Sequence, residues 1–168
     1  VEASPEPDLS AFCFGTDGSG GDMLLVTKGG LRENESALKP RKRHRWNSAL
    51  YMDGPGLIYF TLEMIPELIN QVLARSKLSP NDIDIYIMHQ PTKLLLEQIR
   101  DKLGLDEARM PLLLKDCGNT VSSTIPLVVR ELRQQGRLRP GSRAMLVGFG
   151  VGLSWAACVW EERFKGHD

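Results

Sequence analysis

Cysteine is scarce in this sequence: three in 168 residues, Cys13, Cys117 and Cys158, widely separated and without a CxxC pair. That excludes a zinc knuckle and argues against a disulfide framework, so the thiols are expected to be reduced, as in the cytoplasm. Net charge is also missing. The 21 basic and 21 acidic residues cancel, which argues against the broad basic surface that nucleic-acid binding requires. No apolar run reaches the roughly 18 residues of a membrane span, so no membrane partner is expected. The opening residues Val1 to Asp8 have neither a basic segment nor an apolar one and do not read as a signal peptide. They also lack an initiator methionine, and the sequence is expected to begin downstream of its gene's start.

What remains is an ordinary α/β composition, 42% hydrophobic and 25% charged. Two short strands are expected at Ala11–Phe14 and Asp22–Thr27, joined by the glycine-rich stretch Gly15–Gly21. Leu31 to Asn47 has little apolar periodicity and carries five Lys or Arg in the seven residues Lys39 to Arg45, which reads as an exposed loop. From Gly56 to Ser76 the residues Leu57, Phe60, Met64, Leu68 and Val72 trace a helical stripe, with Pro66 expected to kink or break it. Ile83–Met88 reads as a strand, and Leu94, Leu95, Ile99 and Leu103 mark a second helix capped by Gly104. A short strand at Met110–Leu114 and a helix over Thr124–Gln135 follow, then strands at Arg143–Phe149 and Leu153–Trp160. Alternating strands and helices predict a layered α/β domain.

Strand ends are where such proteins keep their chemistry. His89 follows the Ile83–Met88 strand, Asn119 follows Met110–Leu114, and Gly148-Phe-Gly-Val-Gly152 follows the Arg143 strand. A single histidine at a strand end is as often structural as chemical. Asparagine after glycine is ordinary turn chemistry. Nor is Gly148-x-Gly150 a dinucleotide fingerprint: position 153 is leucine, and a strand rather than a helix follows.

Taken together, five ordered motifs carry more. They are Gly15-Thr-Asp-Gly-Ser-Gly20, Tyr51-Met-Asp-Gly54, His89-Gln-Pro91, Gly118-Asn-Thr120 with Ser122 to Pro126, and Gly148 to Trp155. This set resembles the C-terminal part of the β-ketoacyl-acyl-carrier-protein synthase III family over roughly residues 11–160. The resemblance implies a thiolase-like fold, of which this chain is the C-terminal half of a five-layer αβαβα architecture. It divides the sequence into 1–47, the end of the N-terminal half with its last strands and basic loop, and 48–168, the C-terminal synthase domain.

The family's chemistry is a decarboxylative Claisen condensation of an acyl-CoA thioester with malonyl-acyl-carrier protein, of the kind used in fatty acid and polyketide synthesis. By that resemblance the nucleophilic cysteine lies on an N-terminal half that this sequence lacks. His89 and Asn119 are implied to donate hydrogen bonds to the malonyl thioester carbonyl, the imidazole as a neutral donor. The backbone N–H of Val151, where many relatives have glycine, would serve the oxyanion hole of the acyl-cysteine. Phe149 and Gly150 would line the substrate wall. Pro91 and Thr92 also depart from the family pattern and could reshape the carrier-arm tunnel. Lys93 and Arg100 are candidates for docking coenzyme A or the carrier, although the family's docking residue falls one position from Lys93. Cys117 occupies a variable family position and is not expected to be the nucleophile, while Cys13 and Cys158 read as core. The resemblance implies no cofactor and no metal. Its implied partners are the protein's own N-terminal half, a second copy in a homodimer, acyl carrier protein and acyl-CoA. The alternative is a noncatalytic thiolase-fold subunit that binds or stabilises an active homologue.

Overall fold

A computed structural model describes residues 7–26 and 50–164. The basic stretch Lys39–Arg45 lies outside them. The central sheet has the order β1-β6-β5-β4, built from β1 (Leu9–Thr16), β6 (Ser154–Glu161), β5 (Arg143–Gly150) and β4 (Ile85–Met88). β4 runs parallel to β5, and the other two pairings are antiparallel. A separate two-stranded ribbon pairs β2 (Leu24–Val26) with β3 (Leu50–Met52). The boundary expected after residue 47 therefore runs between hydrogen-bonded partners: β1 pairs along β6, and β2 along β3.

Among the described residues, three α-helices cover the sheet. α1 (Gly54–Ser76) and α2 (Lys93–Leu103) pack on one face, and α3 (Thr124–Gln134) on the other. All four residues of β4 are buried because its pleat feeds both layers. Tyr86 and Met88 join Ile65, Leu68, Val72, Leu96 and Ile99 on the first face, while Ile85 and Ile87 meet Val128 and Leu132 on the second. Each such side chain contributes roughly 1.5–3 kcal/mol when removed from water. The α1 stripe is long and apolar enough to cross a membrane, with a mean hydropathy of 1.2. Here its buried residues Ile65, Leu68, Ile69 and Val72 form the core of the sheet packing instead.

The helices begin and end on local chemistry. Asp53 caps α1 by accepting from the Gly56 N–H at 3.1 Å, and Thr92 caps α2 by accepting from the Leu95 N–H at 3.2 Å. Gly104 closes α2 in the left-handed region at φ 64°.

Four expectations are corrected. Pro66 does not break α1, which is continuous over Gly54–Ser76. Proline removes one backbone bond there, while Ile65, Leu68 and Ile69 around it are held in the core. β4 begins at Ile85 rather than Ile83. Met110–Leu114 is not a strand: Tyr86 donates one backbone bond to Arg109, and the Gln90 side chain supplies the bonds a ladder would have made. β3, too short for a periodic signal, was not expected as a strand.

Candidate active site

β4 extends its ladder one residue further, with the His89 N–H donating to the Val147 carbonyl at 2.9 Å. This fixes His89 at the carboxyl end of the strand. The next residue, Gln90, turns inward and is 2% exposed. Its Nε2 donates to the Met88 carbonyl at 3.1 Å and the Pro111 carbonyl at 3.4 Å, and its Oε1 accepts from the Leu113 N–H at 3.0 Å. Gln90 thereby ties the strand end carrying His89 to the segment that leads to Asn119.

Asn119 is oriented by its own loop. Its Oδ1 accepts from the Val121 N–H at 2.9 Å, which leaves the carboxamide Nδ2 as the donor of the side chain. Val121 sits at φ 56°, a left-handed conformation that a β-branched residue adopts only at a cost of about 1–3 kcal/mol. The strain is held by that bond and by the Thr124 hydroxyl, which donates to the Val121 carbonyl at 2.9 Å. Thr124 Oγ1 is also 2.8 Å from His89 Nδ1.

Phe149 meets His89 edge-on, with ring centroids 5.4 Å apart and an interplanar angle of 76°. Burial pushes the imidazole's pKa below its ordinary value, partly opposed by a hydrogen bond to the Val121 backbone.

His89, Asn119, Phe149, Gly150 and Val151 all line one open cavity of about 620 Å³, together with Leu24, Val121, Thr124, Ser154 and Trp155. Among the described residues, His89 is the one titratable side chain in that wall. Five sequence-predicted residues, from three segments distant in the chain, thus meet in one place. The Gly15–Gly20 motif braces this wall from behind. Asp17 and Leu153 exchange backbone hydrogen bonds at 2.8 and 2.7 Å, and Gly20 lies against the Leu153 side chain, so the loop clamps the turn that carries Val151.

Lys93 and Arg100 are not in the cavity. Lys93 is exposed on α2 and lies 3.6 Å from Glu97, whereas the Arg100 side chain is only 16% exposed and faces Glu107 at 4.0 Å. Cys117 lies outside the cavity too, with its thiol turned to the Leu113 carbonyl at 3.3 Å. Burial pushes the Cys158 thiol up, consistent with a core role. No cluster of His, Cys, Asp or Glu that could hold a metal ion is present among the described residues.

Gln90, Thr124 and Trp155 were not singled out from sequence. All three fall inside the recognised motifs, but nothing in periodicity distinguishes a buried glutamine that replaces a sheet ladder from an ordinary turn residue.

A sheet with helices on both faces, a histidine and a glycine turn at its strand ends and an asparagine on a neighbouring loop is the architecture of one half of a thiolase fold. Residues 73–162 match the family model for the C-terminal domain of 3-oxoacyl-[acyl-carrier-protein] synthase III, and the chain belongs to that family. It is 33% identical over 160 residues to β-ketoacyl-[acyl-carrier-protein] synthase III of Clostridium tetani, covering 93% of this chain and 48% of the relative. The corresponding enzyme of Gloeobacter violaceus is 37% identical over 159 residues, with 95% and 48% covered. A crystal structure of a 3-oxoacyl-(acyl-carrier-protein) synthase III superposes with a TM-score of 0.84 at 37% identity, over 96% of this chain and 50% of the other. That of the Pseudomonas aeruginosa synthase gives 0.81 at 25% identity, over 99% and 48%. The chain thus spans about half the length of the relatives it matches.

Proposed function

We propose that this chain is the C-terminal part of a condensing enzyme that joins an acyl-CoA to malonyl-acyl-carrier protein with loss of carbon dioxide. The observation that carries the reading is the convergence of His89, Asn119 and the Val151 turn on one cavity. Decarboxylation leaves an enolate whose oxygen needs preorganised donors, each worth about 3–4 kcal/mol in comparable sites. Asn119 suits that task because its Oδ1 already accepts from the Val121 N–H and its Nδ2 is a donor. The Val151 N–H would hold the acyl-cysteine oxyanion, and Phe149 and Gly150 would border the acyl group. No cofactor takes part in this scheme; the coenzyme A thioester is substrate.

The nucleophile is assigned to an N-terminal half like that of the relatives. One face of the sheet fits such a partner. Phe12 and Phe14 on β1 are 50% and 81% exposed, and an open groove is lined by Leu9 of the same strand with Ile125, Val129, Leu146 and Trp160. α3 would then form half of the middle layer of the five-layer fold. A homodimer of the whole, in the cytoplasm, completes the proposal. Lys93, with its exposed ammonium, fits carrier docking better than the largely buried Arg100. A noncatalytic role is less favoured, because both His89 and Asn119 are retained and set in place.

Radiolabelled acyl transfer and malonyl decarboxylation, assayed separately on the chain combined with an N-terminal half, test the proposal. Both activities are expected; their absence from a correctly assembled complex would favour the noncatalytic reading.

A further inference from the structure

Val121 carries a side chain that its place in the fold does not call for. Its backbone sits at φ 56°, where a β-branched residue is strained and glycine is not. Nor does the side chain stabilise the fold by burial, since Val121 is 71% exposed. Its backbone groups are a separate matter: the N–H donates to Asn119 Oδ1 at 2.9 Å, and the carbonyl accepts from the Thr124 hydroxyl at 2.9 Å. Any residue in this conformation can make those two bonds. What valine adds is an isopropyl group in the wall of the cavity that also holds His89 and Asn119. A strained residue at such a place points to function rather than packing.

We propose that Val121 is a specificity-determining residue: its isopropyl group closes the space beside the α-carbon of the malonyl unit, so that malonyl-carrier is accepted and an α-methylated malonyl-carrier is refused. The inference rests on the function proposed above. There Asn119 Nδ2 donates to the thioester oxygen that becomes the enolate, and the α-carbon is bonded to the same carbonyl carbon. The bond from the Val121 N–H to Asn119 Oδ1 ties the isopropyl group to the carboxamide, so the two are set against the substrate together. With both backbone groups held and a β-branched χ1 that is stiff, the side chain has little room to swing aside. Valine offers no hydrogen bond, so it discriminates by size alone.

The test compares kcat/KM for carbon dioxide release from malonyl- and methylmalonyl-acyl-carrier protein, using the complex of this chain with an N-terminal half. The unsubstituted chain is expected to favour malonyl by about tenfold or more, the scale on which one methyl group is told apart in an apolar pocket. Val121→Ala is expected to lose most of that preference, and Val121→Thr, of the same shape, to keep it. Val121→Gly takes φ 56° without strain, which guards against a variant that fails to fold, and it is expected to lose the preference too. Every one of these variants retains the N–H that Asn119 accepts. A purely structural role would change both rates together and leave their ratio unmoved.

A ratio near unity in the unsubstituted chain, or one unchanged in Val121→Ala and Val121→Gly, overturns the inference while the proposed function stands. A complex that releases carbon dioxide from neither carrier overturns the proposed function, and the inference with it.

Discussion

Gly15 of β1 lies against the indole of Trp155 on β6, its cross-strand partner, so closely that a Cβ at Gly15 would stand 2.5 Å from the ring carbons. The indole, which lines the His89 cavity, also tilts against Phe60 of α1 at 5.5 Å between centroids. Gly15→Ala is therefore expected to destabilise the fold by about 1–3 kcal/mol through overpacking and to shift the tryptophan fluorescence. Gly18→Ala meets open space and is the control. Urea unfolding followed by fluorescence checks both; equal midpoints for the two variants would contradict the packing described.

Gln90 supplies three hydrogen bonds between the end of β4 and the 111–113 segment. Replacing it with leucine leaves a buried N–H and two carbonyls without those partners, which is expected to cost about 2–4 kcal/mol. Hydrogen exchange at the Leu113 amide should quicken more than at core amides of β5. Unchanged protection at Leu113 would show that Gln90 does not hold the segment.

These two residues also mark the limits of the sequence. Strands and helices with a strong period were legible: the α1 stripe, the continuous apolar β4 and the β5–β6 pair all carry burial in their spacing. His89, Asn119 and Val151 could be named because recognisable motifs surround them. Met110–Leu114 was misread because an apolar run says nothing about whether its backbone finds a ladder or a glutamine side chain. Of the kink or break expected at Pro66 the break is absent: the local penalty of proline is visible in sequence, whereas the packing of Ile65 and Leu68 that holds the helix together is not. The Thr124 link to His89 spans 35 positions and leaves no periodic trace.

His89 should titrate below the ordinary imidazole value of about 6.5, because burial disfavours the charged ring. The unfolded chain then binds more protons than the folded one as the pH falls past that value. The sign follows: this contribution to stability is complete above about pH 6.5 and is lost as the pH drops. An NMR titration of the His89 ring gives the midpoint. A value at or above 6.5 would contradict the effect of burial.

Intact-mass measurement after incubation with acyl-CoA addresses the nucleophile. The chain alone is expected to show no stoichiometric adduct, since Cys117 lies outside the His89 cavity and Cys158 is buried. An acyl group mapped to Cys117 would move the nucleophile onto this half.

The most direct test of the central claim is the rate of carbon dioxide release from malonyl-carrier protein by the complex of this chain with an N-terminal half, compared with its Asn119→Ala variant. Asn119 has no basic nitrogen, so it can stabilise an enolate but cannot assist a thiol. The account predicts a fall of about 100-fold or more in decarboxylation, the scale of losing one oxyanion donor, with acyl transfer from acyl-CoA near normal. An Asn119→Ala complex that decarboxylates normally yet loads poorly would contradict it.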